Sequence, residues 1–214
     1  MILDFPFKVR FLSYDQIAQS VLEILRKYQY ESILPIPIEH IIDNILRINI
    51  IPFPNLFSGF EINAFVSSDL KKIYVDEYLY TNLDRQYRFT LAHEFGHITL
   101  HKYVYADINI KSLEDWRQFR SRVDINEYRN LEIQANNFAG LLLVPQSLLE
   151  SSFIEQLKSL ARSFRKAEVE RMKRSDYLQY VIDTIAFNLV PVFQVDQQVI
   201  RIRIEKSNLA TKIP

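Results

Sequence analysis

The chain has 214 residues, 48% of them hydrophobic and 13% aromatic, enough for one substantial domain or a domain with a small appendage, and too apolar for long disorder. Its 26 basic residues balance 26 acidic ones, which argues against a surface built wholly to bind a polyanion. It has no cysteine, so disulfide frameworks, thiolate metal sites, iron–sulfur clusters and thiol catalysis are excluded, and any metal must be held by His, Asp or Glu. Residues 1–8 lack the basic stretch and apolar core of a signal peptide. No apolar run approaches the roughly 18 residues of a membrane helix, and the expectation is a cytoplasmic protein with no membrane contact.

In chain order, Ile17, Val21, Ile24 and Leu25 recur at helical spacing behind Ser13, predicting a first helix that ends near Tyr28. Pro35 and Pro37 mark a loop, and Ile38, Ile41, Ile42, Ile45 and Leu46 predict a short second helix. From Ile48 to Val75 the pattern turns to strands: 48–51, 60–66 and 73–75, the last two joined by a hairpin turn over Ser68 to Lys71. Longer helices are expected from about Asp84 to His101 and from about Asn130 to Leu143, the second stopped by Pro145. Beyond about 150 helical patterns dominate, with a basic run of Arg162, Arg165, Lys166, Arg171, Lys173 and Arg174. The elements together read as α+β, with residues 1–150 as a catalytic domain and 151–214 as a smaller helical region. With 3 glycines in the whole chain, a phosphate-cradling glycine-rich loop has no material.

The chemistry concentrates in one helix. Of 4 histidines, three are His93, His97 and His101, and His93-Glu94-Phe95-Gly96-His97 forms an H-E-x-x-H motif. Residues four apart lie about 6 Å apart along a helix and on one face, so two imidazoles can converge on one cation. Glu94 then stands beside them, free to take a proton from water. Zinc fits a His-based catalytic site best, although His and carboxylate donors also accept manganese. His101 lies about 12 Å along the axis from His93, too far to share the ion, and is either a partner or substrate-facing group or an exposed helix-end histidine. The third ligand is expected from a second helix. Glu132 is a candidate, with Asn136 one turn on to orient it and the small pair Ala139-Gly140 permitting close approach; Asp124 and Glu127 compete.

The run Arg88 to His101 with its H-E-x-x-H motif, followed by the block Glu132 to Pro145, resembles the ImmA/IrrE family of bacterial and phage metallo-endopeptidases. Pro35 to Ile42, the extended segment Ile48 to Pro52, and Lys72 to Asp76 fall in the family's order, so the likeness covers Leu12 to Leu149 and continues more weakly beyond. It implies a zincin-like domain with a small mixed sheet around the motif helix. It implies zinc held by His93, His97 and Glu132 with Glu94 as general base, and a helix-turn-helix repressor or antitoxin as protein substrate. The stretch Val104 to Arg129 is longer than in compact members and holds Trp116, the one tryptophan, as a lid or as a packed insertion. Ile73 to Asp76 is a candidate part of the sheet that would receive substrate as an added strand. His101 and Tyr87 are candidates to stabilise the oxyanion.

The same comparison reads residues 185–206 as two helices joined by a turn at Gln194-Val195, the second capped by Asp196. Arg201 and Arg203 could there touch a phosphate backbone, whereas zero net charge favours helices that brace the catalytic domain. The rivals to a peptidase are thus a DNA-binding regulator with a non-catalytic metal site and a module that sequesters its repressor intact.

Overall fold

The computed structural model describes residues 8–169 and 172–214, with the side chains of 166–169 left out. Residues 1–7, and the Lys166 side chain and Arg171 of the basic run, therefore lie outside the described part. The elements in chain order are α1 (Tyr14–Tyr28), α2 (Ile38–His40) running into a π-helical turn (Ile41–Ile45), β1 (Asn49–Phe53), α3 (Leu56–Phe60), β2 (Ala64–Val66), β3 (Lys72–Asp76), α4 (Glu77–Asn82) and α5 (Asp84–Leu100). There follow α6 (Lys102–Ala106), α7 (Leu113–Arg122), α8 (Ile125–Leu143), α9 (Gln146–Ser159), α10 (Ala161–Val169), α11 (Arg174–Phe193), α12 (Gln197–Lys206) and a final 3-10 turn, Leu209–Lys212. The architecture is α+β, mostly helical around one small sheet.

Local chemistry sets the first helix. The Ser13 side chain accepts from the Gln16 backbone N–H while Gln16 reaches back to the Ser13 N–H, a reciprocal cap that satisfies two donors left orphaned at a helix start. The sheet has the order β1-β3-β2, with β1 parallel and β2 antiparallel to β3. Strand alternation divides its residues between two cores. Ile73 and Val75 of β3 join the main cluster, while Tyr74 stacks on Phe65 at 4.8 Å in a second one.

The expected strand from Phe60 is shorter than the pattern predicts. Leu56–Phe60 is helical, and Glu61 leaves that helix in the left-handed region at φ 59°. The Asp76 carboxylate accepts from the Phe57 N–H at 2.8 Å and from the Leu79 N–H at 3.0 Å, so α3 is held by a contact 19 residues away. The α8 helix begins five residues earlier than expected, because Asp124 caps it by accepting from the Asn126 and Glu127 N–H groups.

Residues on both sides of position 150 share the main hydrophobic cluster, from Ile17 and Leu91 through Phe138 and Phe153 to Ile185, Ile204 and Ile213. The turn between α11 and α12, bent by 116°, docks against the start of α5: Arg88 donates to the Gln194 and Ile36 carbonyls at 3.1 and 2.8 Å, and Arg85 pairs with Asp196 at 3.5 Å. Asp196 occupies the N-cap position of α12 but makes no side-chain cap bond. No single helix among the described residues is long and apolar enough to cross a membrane.

Candidate active site

Helices α5 and α8 pack face to face, and Gly96 is the reason they come so close. A Cβ at Gly96 would meet the Ala135 Cα and carbonyl and the Phe138 Cβ, each at 3.2 Å. Sequence spacing points instead to Ala139-Gly140 for this role, but Gly140 faces the Arg203 stem on α12. The close approach brings Glu132 of α8 against the motif face of α5.

Three donors converge there. His93 Nε2 lies 3.0 Å from His97 Nε2, Glu132 Oε2 lies 3.3 Å from His93 Nε2, and Glu132 Oε1 lies 3.5 Å from His97 Nε2. Ligands at zinc-like distances around a tetrahedral ion sit roughly 3.3–3.4 Å apart, so the donor set has the spacing such an ion requires. Among the described residues, His93, His97 and Glu132 are a group able to hold a metal. Neither rival carboxylate joins them: Asp124 caps α8, and Glu127 accepts from the Val9 N–H at 2.7 Å.

Hydrogen bonding sets the tautomers of both imidazoles. Gln134 donates its amide N–H to the Arg10 carbonyl at 3.0 Å, which turns its oxygen toward His101 Nε2 at 3.1 Å. His101 Nε2 must then carry the proton, leaving Nδ1 to accept from His97 Nδ1–H at 3.0 Å. His97 Nε2 is thereby left with a free lone pair facing Glu132. His93 reaches the same state by donating from Nδ1 to the Asn136 oxygen at 3.0 Å. Asn136 therefore orients His93, not Glu132. His101 is fully buried at the end of α5, which corrects both the exposed and the substrate-facing readings. Gln134 and Arg10 were missed by the sequence reasoning, because Gln134 lies on the helix face away from Glu132 and reaches the site only through His101.

The electrostatics separate the two carboxylates. Burial pushes Glu132 up, but His93 and His97 against it outweigh that and hold its carboxyl well below the usual range. Burial raises Glu94, and the two imidazoles offset only part of the rise. Burial opposes charge on His93, yet its bond to Glu132 and the nearby Glu94 charge raise it. Burial, then neighbouring His97, lowers His101 to about 3.

These groups floor a cleft of about 280 Å³. Part of its lining is polar, with His93, Glu94, His97, Glu132 and Asn136, and part is apolar, with Ile62, Val104, Trp116, Phe119 and Leu131. Strand β2 borders it through Ala64 and is an edge of the sheet, whereas β3, which holds Ile73 to Asp76, is central and has no free edge. Residues 104–129 pack onto the second cluster and their aromatics also line the cleft: Trp116 lies 6.3 Å from Phe65. Tyr87 packs edge-on against Tyr80 at 5.2 Å and, like His101, lines no part of the cleft. Tyr105 and Tyr128 do line it, and burial followed by the nearby carboxylates keeps both hydroxyls protonated.

The phosphate-contact reading of α12 fails for Arg203, which is 2% exposed. Arg203 donates to the Val144 carbonyl, to Gln146 and to the Tyr14 hydroxyl. Arg201 is paired with Asp183 and Glu205.

A family model described as Peptidase_M78, the IrrE N-terminal-like domain, matches residues 71–205. The match spans both metal-facing helices and continues to the end of α12. No match was found among individually curated proteins.

Proposed function

The chain belongs to the IrrE N-terminal-like peptidase family, and from that premise we propose that it is a zinc-dependent endopeptidase of narrow specificity, acting on a cognate helix-turn-helix repressor or antitoxin. The single observation that carries the reading is the convergence of His93, His97 and Glu132 at tetrahedral spacing, with buried Glu94 beside them. Two neutral imidazoles and a carboxylate are the donors of a catalytic zinc site that keeps a position open. A metal held there would supply Lewis-acid polarisation of the scissile carbonyl and acidify water.

The protein's own groups do the rest. Glu94 takes a proton from the attacking water and returns it to the leaving amine; burial raises its carboxyl above the ordinary range, which favours holding the proton between the two transfers. Tyr105 and Tyr128, held protonated and lining the same cleft, are the candidate donors to the developing oxyanion. Asn136 and the relay from Gln134 through His101 keep the two ligand nitrogens aimed inward.

A cleft of about 280 Å³ suits an extended segment, so the substrate offers a loop or unfolded strand that lies along the edge of β2. The surrounding domain, residues 1–150, is zincin-like in this reading, residues 151–214 brace it, and the protein works in the cytoplasm.

The test is cleavage of a repressor encoded beside the gene. Zinc-loaded wild type cuts it at one site, and Glu94→Gln, which keeps the metal, slows cutting at least 100-fold. Cleavage undiminished in Glu94→Gln would remove the general-base role and the peptidase reading with it.

A further inference from the structure

The apolar lining of the cleft has no part in holding a metal or moving a proton. Val104, Leu131 and Ile62 are almost fully buried, at 1%, 4% and 6% exposure, and belong to the second hydrophobic cluster together with Leu56 and Phe65. Trp116 and Phe119 of α7 pack at the margin of that cluster and are only partly covered. Ile62, Val104, Trp116, Phe119 and Leu131 line the same cleft as Glu94 and Glu132, while Ile62 and Trp116 also border a second surface pocket beside Phe60 and Arg117. Apolar surface left in contact with water inside a concave site is what a ligand's apolar group covers on binding.

We propose that this wall, formed by Trp116, Phe119, Ile62, Val104 and Leu131, is a specificity subsite that takes a large apolar side chain, aromatic or leucine-like, of the residue beside the scissile bond. The inference rests on the peptidase reading for the words "scissile bond", while the binding preference stands independently of it. Continuity decides the occupant: the same cleft joins the wall to the proton-transfer carboxylate and to the edge of β2. A peptide lying along that edge points alternate side chains to opposite faces, so one of them meets the apolar lining. An acidic side chain is disfavoured twice, by losing its water against this wall and by facing Glu94 and Glu132.

Trp116 is the chain's one tryptophan and reports directly on the wall. The experiment uses the full chain, with and without zinc, and decapeptide mixtures whose central position is fixed as Phe, Leu, Ala or Asp. Binding is read by Trp116 emission and by calorimetry, and hydrolysis by mass spectrometry in parallel. The Phe and Leu mixtures are expected to bind roughly tenfold or more tighter than the Asp mixture and to blue-shift the emission. The preference should vanish in Trp116→Ser and persist in Trp116→Phe, a conservative variant that guards against a folding artefact. Equal binding of all four mixtures, binding of none, or a preference that survives Trp116→Ser overturns the subsite. A preference without any hydrolysis supports the subsite while refuting the peptidase reading; hydrolysis without a preference does the reverse.

Discussion

At the scale of single residues, the account turns on which nitrogen of each imidazole carries its proton. Gln134 fixes that choice for His97 through His101, although it touches neither the cleft nor a candidate ligand. Replacing it with Leu leaves His101 Nε2–H buried without an acceptor, and either ring can then flip. Gln134→Leu should weaken zinc binding about 10–100-fold, measured by competition with a chelator, whereas Gln134→Glu keeps the acceptor and should lie closer to wild type. Equal affinities in all three proteins would show that the relay does not orient His97. His101 also predicts an acid sensitivity of the metal-stripped chain. Its folded pKa is lowered to about 3 from the ordinary 6.5, so the stability gained by burying it neutral is complete above about 6.5. That stability is lost as pH falls from there toward about 3, at no more than about 1.4 kcal/mol per pH unit. Urea midpoints measured from pH 7 to 4 should fall less steeply in His101→Gln; parallel curves would contradict the assignment.

At the scale of elements, the pair α5–α8 is the platform, and Gly96 sets its spacing. A Val there adds bulk 3.2 Å from the Ala135 backbone, which cannot swing aside as a long side chain could. Gly96→Val should cost about 1–3 kcal/mol in urea denaturation and weaken metal binding, because it moves Glu132 away from the two histidines. Retention of both stability and affinity would mean that the helices do not depend on this contact. Both helices were legible in the sequence, since their signals are local: H-E-x-x-H on one face of α5, and Pro145 just beyond α8. The Ser13 cap was legible for the same reason, whereas the turn at Gln194 came from the family resemblance. What escaped was held by distant partners. Helix α3 depends on the Asp76 carboxylate, and α8 starts early because Asp124 caps it, leaving Asp124 unavailable as a ligand. The central position of β3 follows from strand order, which no strand's own alternation encodes.

At the scale of the whole molecule, the C-terminal helices are tied into the N-terminal part by buried contacts. Arg203 joins α12 to the end of α8 through the Val144 carbonyl and to α1 through Tyr14, and a guanidinium suits that carbonyl because it sits at the negative end of a helix dipole. Arg201 and Arg203 look alike in sequence, two basic residues two positions apart on a helix. Only packing reveals that the second is internal, which the balanced charge of the chain had favoured without singling out the residue. Because one cluster runs from Ile17 to Ile213, residues 1–150 and 151–214 are expected to unfold in one transition. Arg203→Ala should lower the stability of that single transition by about 2–4 kcal/mol. Two separated transitions by circular dichroism would show that the halves are independent.

The central claim is that His93, His97 and Glu132 form one metal site, and metal stoichiometry tests it most directly. Purified wild type, His97→Ala and Glu132→Ala are titrated with zinc, desalted and measured by elemental mass spectrometry. One tightly held zinc per wild-type chain is expected, with that zinc lost in both variants. A wild type that holds no metal would contradict the site, and a Glu132→Ala protein that still holds a full equivalent would contradict Glu132 as its third ligand.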